Sequence, residues 1–217
     1  MLTTCWAAKG GVGTTAVAAA LAVLASERDR TLLVDLAGDA ALALGIAAPA
    51  GPGVEEWLRS ATTDRAALGR LTVEVTPSLR LLPPGSVAAG APAADLGRLV
   101  EVLGREPGPV VVDAGRVRTD EDRVVPLFEA SDRSLLITRP CYLALRRAID
   151  LGVRPSAAIV VAEPGRALRA GDVSRAVDVG VVAEVPVDPA VARAIDAGLA
   201  LTRLPRLLRR SLASVGG

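Results

Sequence analysis

The sequence is poor in the residues that most often carry out catalysis. Among its 217 residues there is no histidine, and aromatic residues make up only 2%. The absence of histidine excludes catalysis by imidazole and most sites for transition metals. The two cysteines, Cys5 and Cys141, are far apart and form no CxxC pair, so neither a zinc site nor a disulfide framework is indicated. Because aromatic residues are scarce, the core has to be built from aliphatic side chains.

Charge and length limit the choices further. The net charge is +1, which argues against nucleic-acid binding through the field of the whole protein but leaves room for local basic patches. With 217 residues and 51% hydrophobic content, the chain is expected to form a single domain over residues 1–217. No internal repeat or low-complexity linker divides the sequence. The expected location is cytoplasmic.

The only lysine of the chain stands at the start of a glycine-rich loop. The loop consists of Lys9, Gly10, Gly11, Val12, Gly13, Thr14 and Thr15. It lies between an apolar run at residues 2–7, which predicts a strand, and an alanine-rich run at residues 14–28, which predicts a helix. A strand, a glycine loop and a helix in this order are typical of a phosphate-binding loop. The alternative is a glycine turn that only packs the helix against the strand.

Strand and helix patterns alternate along the rest of the chain. Buried strands are predicted from continuous apolar runs at residues 31–35, 109–113, 133–138, 157–162 and 179–185. Helices are predicted at residues 54–60, 63–71, 93–103, 119–130, 142–151, 172–177 and 189–198. Two short alternating segments, 73–75 and 79–82, predict a hairpin. This order predicts an α/β fold with a mostly parallel β-sheet flanked by helices on both faces.

The loop resembles the deviant phosphate loop, KGGxGK[ST], of the ParA/MinD family of P-loop ATPases. The resemblance implies a P-loop NTPase fold that binds ATP or ADP with Mg²⁺ through the loop from Lys9 to Thr15. It also implies that Lys9 reaches the partner's nucleotide in an ATP-bound homodimer, and that the Thr15 hydroxyl is a Mg²⁺ ligand. Asp35 and Asp113 fall where the family has aspartates at strand ends and are candidate metal residues. Pro186 falls where the family frames the adenine.

The two strand-end aspartates also have a purely structural interpretation. Each follows a buried apolar run, and a carboxylate at such a place often accepts hydrogen bonds from the turn that follows. For Asp35 and Asp113 the alternative to metal binding is therefore the capping of a nearby turn. Arg116 and Arg118 follow Asp113 and either reach phosphate or lie in a solvated loop.

Two positions depart from the family pattern. Thr14 stands where the family has the lysine that reaches the β- and γ-phosphates. A cation about 4 Å from a phosphate oxygen contributes on the order of 4 kcal/mol, so its loss weakens binding by up to roughly three decades. Ala37 stands where the family has a second acid that positions the attacking water, and Asp39 takes over this catalytic role only if the loop turns back through Gly38. A loop without the second lysine is also similar to the TadZ/CpaE-like branch.

These features lead to three alternative functions. The first is a MinD/ParA-like nucleotide-binding protein that acts as a dimeric positioning or assembly switch, with weak or absent ATP hydrolysis. The second is a pseudo-ATPase scaffold that keeps the fold for contacts with a protein partner and binds no nucleotide. The third is an active ATPase in which Asp39 replaces the missing acid.

The end of the chain, residues 199–217, is a candidate basic amphipathic tail. Leucines lie on one side of a helix predicted at residues 201–212, and the other positions include Arg203, Arg206, Arg209 and Arg210. Such a helix packs its leucines on the sheet, lies on an anionic membrane, or joins a surface that binds DNA phosphates or a protein partner. In the membrane case the protein is peripheral at the inner membrane surface.

Overall fold

The structure is a computed structural model that describes residues 1–86, 96–118 and 124–215. Its strands are β1 (Leu2–Ala7), β2 (Thr31–Asp35), β3 (Val73–Thr76), β4 (Leu79–Leu82), β5 (Val110–Arg116), β6 (Arg133–Thr138), β7 (Ala157–Ala162) and β8 (Val181–Pro186). Its helices are α1 (Thr14–Ser26), α2 (Ala40–Leu44), α3 (Val54–Arg59), α4 (Arg65–Leu71), α5 (Gly97–Leu103), α6 (Val125–Ala130), α7 (Tyr142–Asp150), α8 (Ala170–Val177), α9 (Pro189–Asp196) and α10 (Arg206–Leu212).

The strands form one sheet in the order β3-β4-β2-β5-β1-β6-β7-β8. All neighbouring strands are parallel except β3 and β4, which pair antiparallel at one edge. The predicted α/β fold with a mostly parallel sheet is therefore confirmed. Because parallel strands all end at the same edge of the sheet, the loops after β1, β2 and β5 meet at one place.

Helices cover both faces of the sheet. One face packs against α1, α2 and α10, and the other packs against α3 to α8. The core side chains are almost entirely Val, Leu, Ile and Ala, as the composition predicts. Alanines of α1, including Ala18, Ala19, Ala20 and Ala22, are fully buried, so the backbone of α1 lies close to the sheet. This close packing fixes the position of the helix that follows the glycine loop.

Most predicted elements have nearly the predicted bounds. The predicted hairpin forms, with Val73 paired to Leu81, and the Asp64 side chain caps α4 by accepting a 2.6 Å hydrogen bond from the Ala67 N–H. The clearest difference is β5, which continues to Arg116 beyond the predicted end at Asp113. The helices predicted at 93–103 and 119–130 begin outside the described residues, and α5 and α6 are their described parts.

The C-terminal segment is helical only from Arg206 onward, so the helix predicted at 201–212 is too long. Pro205 immediately precedes α10, and a residue before proline is disfavoured in a helix. Leu208 and Leu212 are fully buried in the same core as α1. Arg209 donates two hydrogen bonds, 2.7 and 2.6 Å long, to the carboxylate of Glu27 at the end of α1. Leu208 and Leu212 therefore pack on the domain, which is the packing alternative for these two residues.

The arginines of this segment have a different environment from the leucines. Three of them are exposed, namely Arg203, Arg206 and Arg210. Exposure leaves them accessible to an anionic membrane or to DNA, and such a contact stays a prediction. Within the described part of the chain, none of the helices is long and apolar enough to cross a membrane.

Candidate functional site

The glycine loop connects β1 to α1 and leaves the start of that helix open. Gly11 (φ 72°) and Gly13 (φ 98°) have left-handed backbone conformations, which glycine adopts without the steric cost of a side chain. Gly13 is the N-cap residue of α1, and the first turn of α1 contains no acidic residue. In the described part of the chain, no side chain caps this helix end. The first N–H groups of α1 and the positive end of its dipole are therefore available to an anion.

A cavity of about 860 Å³ lies over this loop. Residues from α2, α3, β5 and α9, from the loop after β2, and from the segments before α5 and α6 complete its walls. The lining residues are Gly10, Gly11, Gly13, Thr14, Thr15, Ala16, Leu36, Ala37, Asp39, Leu42, Ala43, Glu55, Leu96, Ala114, Gly115, Arg116, Val124, Ile195 and Asp196. Most of the predicted loop residues thus face one cavity together with Asp39.

Asp113 is a fully buried carboxylate at the bottom of this region. Its Oδ1 accepts a 3.0 Å hydrogen bond from the Gly115 N–H, whereas its Oδ2 has no hydrogen-bond donor among the described residues. Burial raises the pKa of Asp113 to about 6, a hydrogen bond from the Thr15 hydroxyl to this carboxylate opposes the rise, and the charge of Asp35 adds to it. A buried carboxylate oxygen without a donor is costly, so this atom is suited to a ligand that brings its own donor.

Asp35 is also buried, but its carboxylate is fully engaged. Its Oδ1 accepts hydrogen bonds from the N–H groups of Ala37 (3.0 Å) and Gly38 (2.6 Å), and its Oδ2 accepts one from Ala40 (2.9 Å). Burial raises the pKa of Asp35, and these three backbone hydrogen bonds partly offset that effect. Asp35 therefore caps the turn before α2, which is the structural alternative for this residue, and its part in metal binding stays a prediction.

The two aspartates are direct neighbours across the sheet. Asp35 on β2 pairs in register with Asp113 on β5. Beyond them, Asp39 lines the cavity as the N-cap residue of α2, and its side chain makes no capping hydrogen bond among the described residues. Gly38 has a left-handed backbone conformation with a φ of 97°, and the catalytic role of Asp39 stays a prediction.

The donors at this site fit a Mg²⁺ ion bound together with phosphate. The described residues contain no group of three acidic, cysteine or histidine side chains that could hold a metal by themselves. Mg²⁺ usually keeps several waters and takes only one or two protein ligands besides substrate phosphates. The Thr15 hydroxyl and the unpartnered Oδ2 of Asp113 are adjacent groups of this kind. Thr15 would be the direct ligand and Asp113 would accept from a metal-bound water.

The two departures from the family pattern have clear positions in the structure. Thr14 is largely buried, with 8% of its surface exposed, and it lines the cavity without adding a charge. Ala37 lies against Gly115. A methyl group added at Gly115 would be only 2.9 Å from the Cβ atom of Ala37. Gly115 has a φ of 61°, so the close approach and the left-handed backbone both favour glycine there.

Three predicted binding residues do not line the described cavity. Lys9 is half-buried, Val12 is fully buried, and Pro186 is exposed at the end of β8. Their roles stay predictions. The part of the wall that sequence reasoning missed comes instead from Leu42 of α2 and from Ile195 and Asp196 of α9.

Two glycines allow α2 and α9, which carry these additional lining residues, to approach each other closely. Gly45 (φ 78°) and Gly198 (φ 67°) follow α2 and α9, and a methyl group added at Gly45 would collide with the Gly198 carbonyl group. The only signal in the sequence is that a glycine stands shortly after each helical pattern.

Several solved structures share this fold. The ParA family ATPase from Chlorobium tepidum TLS matches with a TM-score of 0.76 at 20% identity, over 99% of this chain and 98% of that one. A chain of the MinC:MinD cell division protein complex from Aquifex aeolicus matches with a TM-score of 0.73 at 16% identity, over 99% and 93%. The septum site-determining protein MinD from Pyrococcus horikoshii OT3, solved with Mg-ADP, matches with a TM-score of 0.70 at 19% identity, over 100% and 99%.

The chain therefore has the fold of the ParA/MinD-like P-loop ATPases, and the resemblance predicted from its loop is confirmed. Within that class, residues 2–102 match the family model described as cellulose biosynthesis protein BcsQ. No curated protein sequence shows significant similarity to the chain. A place in the TadZ/CpaE-like branch stays a prediction.

Proposed function

We propose that the chain binds ATP or ADP with Mg²⁺ in the cavity over the glycine loop and acts as a dimeric positioning or assembly switch with weak or absent hydrolysis. The observation that carries this proposal is buried Asp113, whose Oδ2 has no donor among the described residues and whose carboxylate interacts with Thr15 in the first turn of α1. A fold kept only for packing gains nothing from this arrangement, because it leaves a buried oxygen without a donor.

Different groups of the site would bind the phosphates and the metal ion. The N–H groups of the loop and of the first turn of α1 donate to phosphate oxygens. Thr15 and Asp113 hold the metal, which when bound neutralises charge on the phosphates. The cavity is otherwise acidic, since Asp39, Glu55 and Asp196 line it. Binding therefore depends on cations to offset repulsion between these carboxylates and the phosphates.

Slow or absent hydrolysis is proposed because two parts of the usual machinery are missing. Phosphoryl transfer depends mainly on positioning and on charge stabilisation. Thr14 brings no charge to the terminal phosphates, and Ala37 has no group that could position water. Asp39 is the carboxylate that lines the cavity nearest to this position in the chain, so residual hydrolysis would depend on it.

A switch also needs a conformation or an assembly that changes with the nucleotide. Lys9 does not line the cavity of its own chain. This position is consistent with the role that the family resemblance implies, in which Lys9 contacts the nucleotide of a partner subunit. A MinD relative was solved as a complex with MinC, which supports a protein partner here. The match to the BcsQ model makes cellulose biosynthesis the first process in which to look for one. The exposed arginines Arg203, Arg206 and Arg210 would make any peripheral contact with an anionic membrane or DNA.

Isothermal titration calorimetry is expected to show binding of ATP and ADP in the presence of Mg²⁺ and much weaker binding with EDTA, because the cavity carries several carboxylates. The matched variant is Thr15→Val, which keeps the side-chain shape and removes the hydroxyl. We expect it to lower the affinity for Mg-ATP by about 10-fold, the loss of one interaction with a charged group. No binding by the parent protein up to about 1 mM nucleotide would refute the proposal and favour the pseudo-ATPase scaffold.

Residual ATP hydrolysis, measured as phosphate release under single-turnover conditions, is expected to fall by about 100-fold in Asp39→Ala. The physical reason is the loss of the carboxylate that takes the place of an acid at Ala37. Glu74→Ala, an exposed carboxylate on the edge strand β3, serves as the control and should leave the rate unchanged. An equal rate in Asp39→Ala and the parent protein would remove Asp39 from catalysis.

A further inference from the structure

Arg116 is carried to the phosphate loop by an extension of β5. The strand bulges after Asp113, because Cys5 pairs with Asp113 whereas the next residue of β1, Trp6, pairs with Gly115. Pairing then continues between Ala7 and Arg116. The Val117 N–H donates a 2.8 Å hydrogen bond to the Ala7 carbonyl group, which fixes the end of the extension. Arg116 is thereby placed beside the point where the loop begins.

The side chain of Arg116 passes beside Gly10 of the loop. A methyl group added at Gly10 would be 3.6 Å from Arg116 Cδ, which is ordinary van der Waals contact. Arg116 lines the large cavity and also an adjoining cavity of about 300 Å³. Its stem is thus supported by the glycine loop at the edge of the nucleotide cavity.

Arg116 stands at an acidic site without an ion-pair partner in the part of the chain that the structure describes. Among the described residues, no carboxylate forms an ion pair with Arg116, although Asp39, Glu55 and Asp196 line the same cavity. Glu55 pairs instead with Arg59 at 2.8 Å. Arg116 is also the only basic residue among the described residues that line the cavity. A guanidinium group with free donors at the mouth of a phosphate loop is ready to bind an anion.

We infer that Arg116 binds the β- and γ-phosphates of the nucleotide and supplies from β5 the positive charge that Thr14 does not supply from α1. This inference rests on the proposed nucleotide binding. The planar guanidinium group has several donors and contacts phosphate oxygens in pairs, so one arginine can replace the point charge of a lysine. The structure assigns this role to Arg116 because its stem lies beside Gly10 and its charge has no ion-pair partner among the described residues.

The test is the affinity for nucleotides of different phosphate number, measured by isothermal titration calorimetry with Mg²⁺. We expect Arg116→Ala to weaken Mg-ATP and Mg-ADP binding by about 10- to 100-fold, the loss of a charged hydrogen-bond donor. Binding of AMP, which lacks the β- and γ-phosphates, is expected to change little. Arg116→Lys should recover part of the loss. The control Arg70→Ala removes an exposed arginine of α4 and should leave all affinities unchanged.

Two further measurements separate binding from folding. The melting temperature of Arg116→Ala without nucleotide should equal that of the parent protein, because Arg116 is exposed and unpaired among the described residues. Adding Thr14→Lys to Arg116→Ala should restore affinity for Mg-ATP, because Thr14 lines the same cavity. If the parent protein binds nucleotide and Arg116→Ala binds it equally well, the inference is overturned while the proposed function stands. If the parent protein binds no nucleotide, both fail.

Discussion

The variant Asp113→Asn is expected to be more stable than the parent protein without nucleotide, by about 2 to 3 kcal/mol at pH 7, and to lose most Mg²⁺-dependent nucleotide binding. Burial is the main reason that the pKa of Asp113 is raised from 3.8 to about 6. Each pKa unit corresponds to about 1.4 kcal/mol, so the ionised carboxylate costs the folded state roughly this amount. A neutral amide avoids the cost, but it cannot accept from a metal-bound water as a carboxylate does.

The effect of Asp113 on stability has a definite pH dependence. Between pH 4 and about pH 6 the folded protein holds a proton on Asp113 that the unfolded chain has lost. Stability from this group therefore falls as the pH rises through this window, and the cost is fully present above it. Asp113→Asn has no such group, so its advantage should be near zero at pH 4 and largest at pH 7. Titrating groups that do not interact with Asp113 are common to both proteins and cancel in the difference, whereas Asp35, whose charge raises the pKa of Asp113, does not.

Denaturant unfolding at several pH values, with and without Mg-ADP, provides the measurement. The variant should have the higher midpoint without ligand, whereas the ligand should stabilise mainly the parent protein. The opposite signs are the signature of a residue kept for binding at the expense of stability. The prediction compares the stability of Asp113→Asn with that of the parent protein at each pH. A smaller advantage of the variant at pH 7 than at pH 4 would contradict the proposed role of Asp113.

The second large effect is expected at Asp35, with the opposite sign. Asp35→Ala should lower the free energy of unfolding by about 2 to 4 kcal/mol, because the N–H groups of Ala37, Gly38 and Ala40 lose their acceptor. The loss is limited because Ala37 and Gly38 are exposed and water can reach them, while Ala40 is buried. Asp35→Ala also removes a buried charge, which offsets a further part of the loss in unfolding free energy.

The two aspartates are matched controls for each other. They are paired in register on neighbouring strands and are both almost fully buried, so differences in their effects arise from their hydrogen bonds. Chemical denaturation of Asp35→Ala and Asp113→Ala, the same substitution at both positions, compares them directly. Equal stabilities for Asp35→Ala and the parent protein would show that the turn before α2 does not depend on this carboxylate.

Local sequence patterns were sufficient for most of the architecture. Runs of Val, Leu and Ile predict strands buried on both faces, and β2, β6 and β7 have the predicted bounds. The glycine loop is also a local signal, because left-handed residues such as Gly13 need glycine wherever they occur in the chain. The position of the loop between β1 and α1 followed from the same periodicity, and with it the fold class.

The details of the site depend on contacts between distant segments, which periodicity does not encode. The sequence presents Asp35 and Asp113 as equivalent strand ends. In the structure both oxygens of Asp35 accept hydrogen bonds from the turn that follows it, whereas Oδ2 of Asp113 has no donor among the described residues. The sequence likewise places Arg116 after a strand, and only the bulge between β1 and β5 brings it to Gly10.

The sequence by itself determined the α/β fold, the glycine-rich loop between β1 and α1 and the absence of a lysine at Thr14. The tertiary structure alone decided which aspartate is free, where Arg116 lies and that Leu208 and Leu212 are buried. The physical reason is that backbone preference and hydrophobic periodicity act over a few neighbouring residues. Hydrogen-bond saturation, charge pairing and burial are set by strand register and packing between residues far apart in the chain.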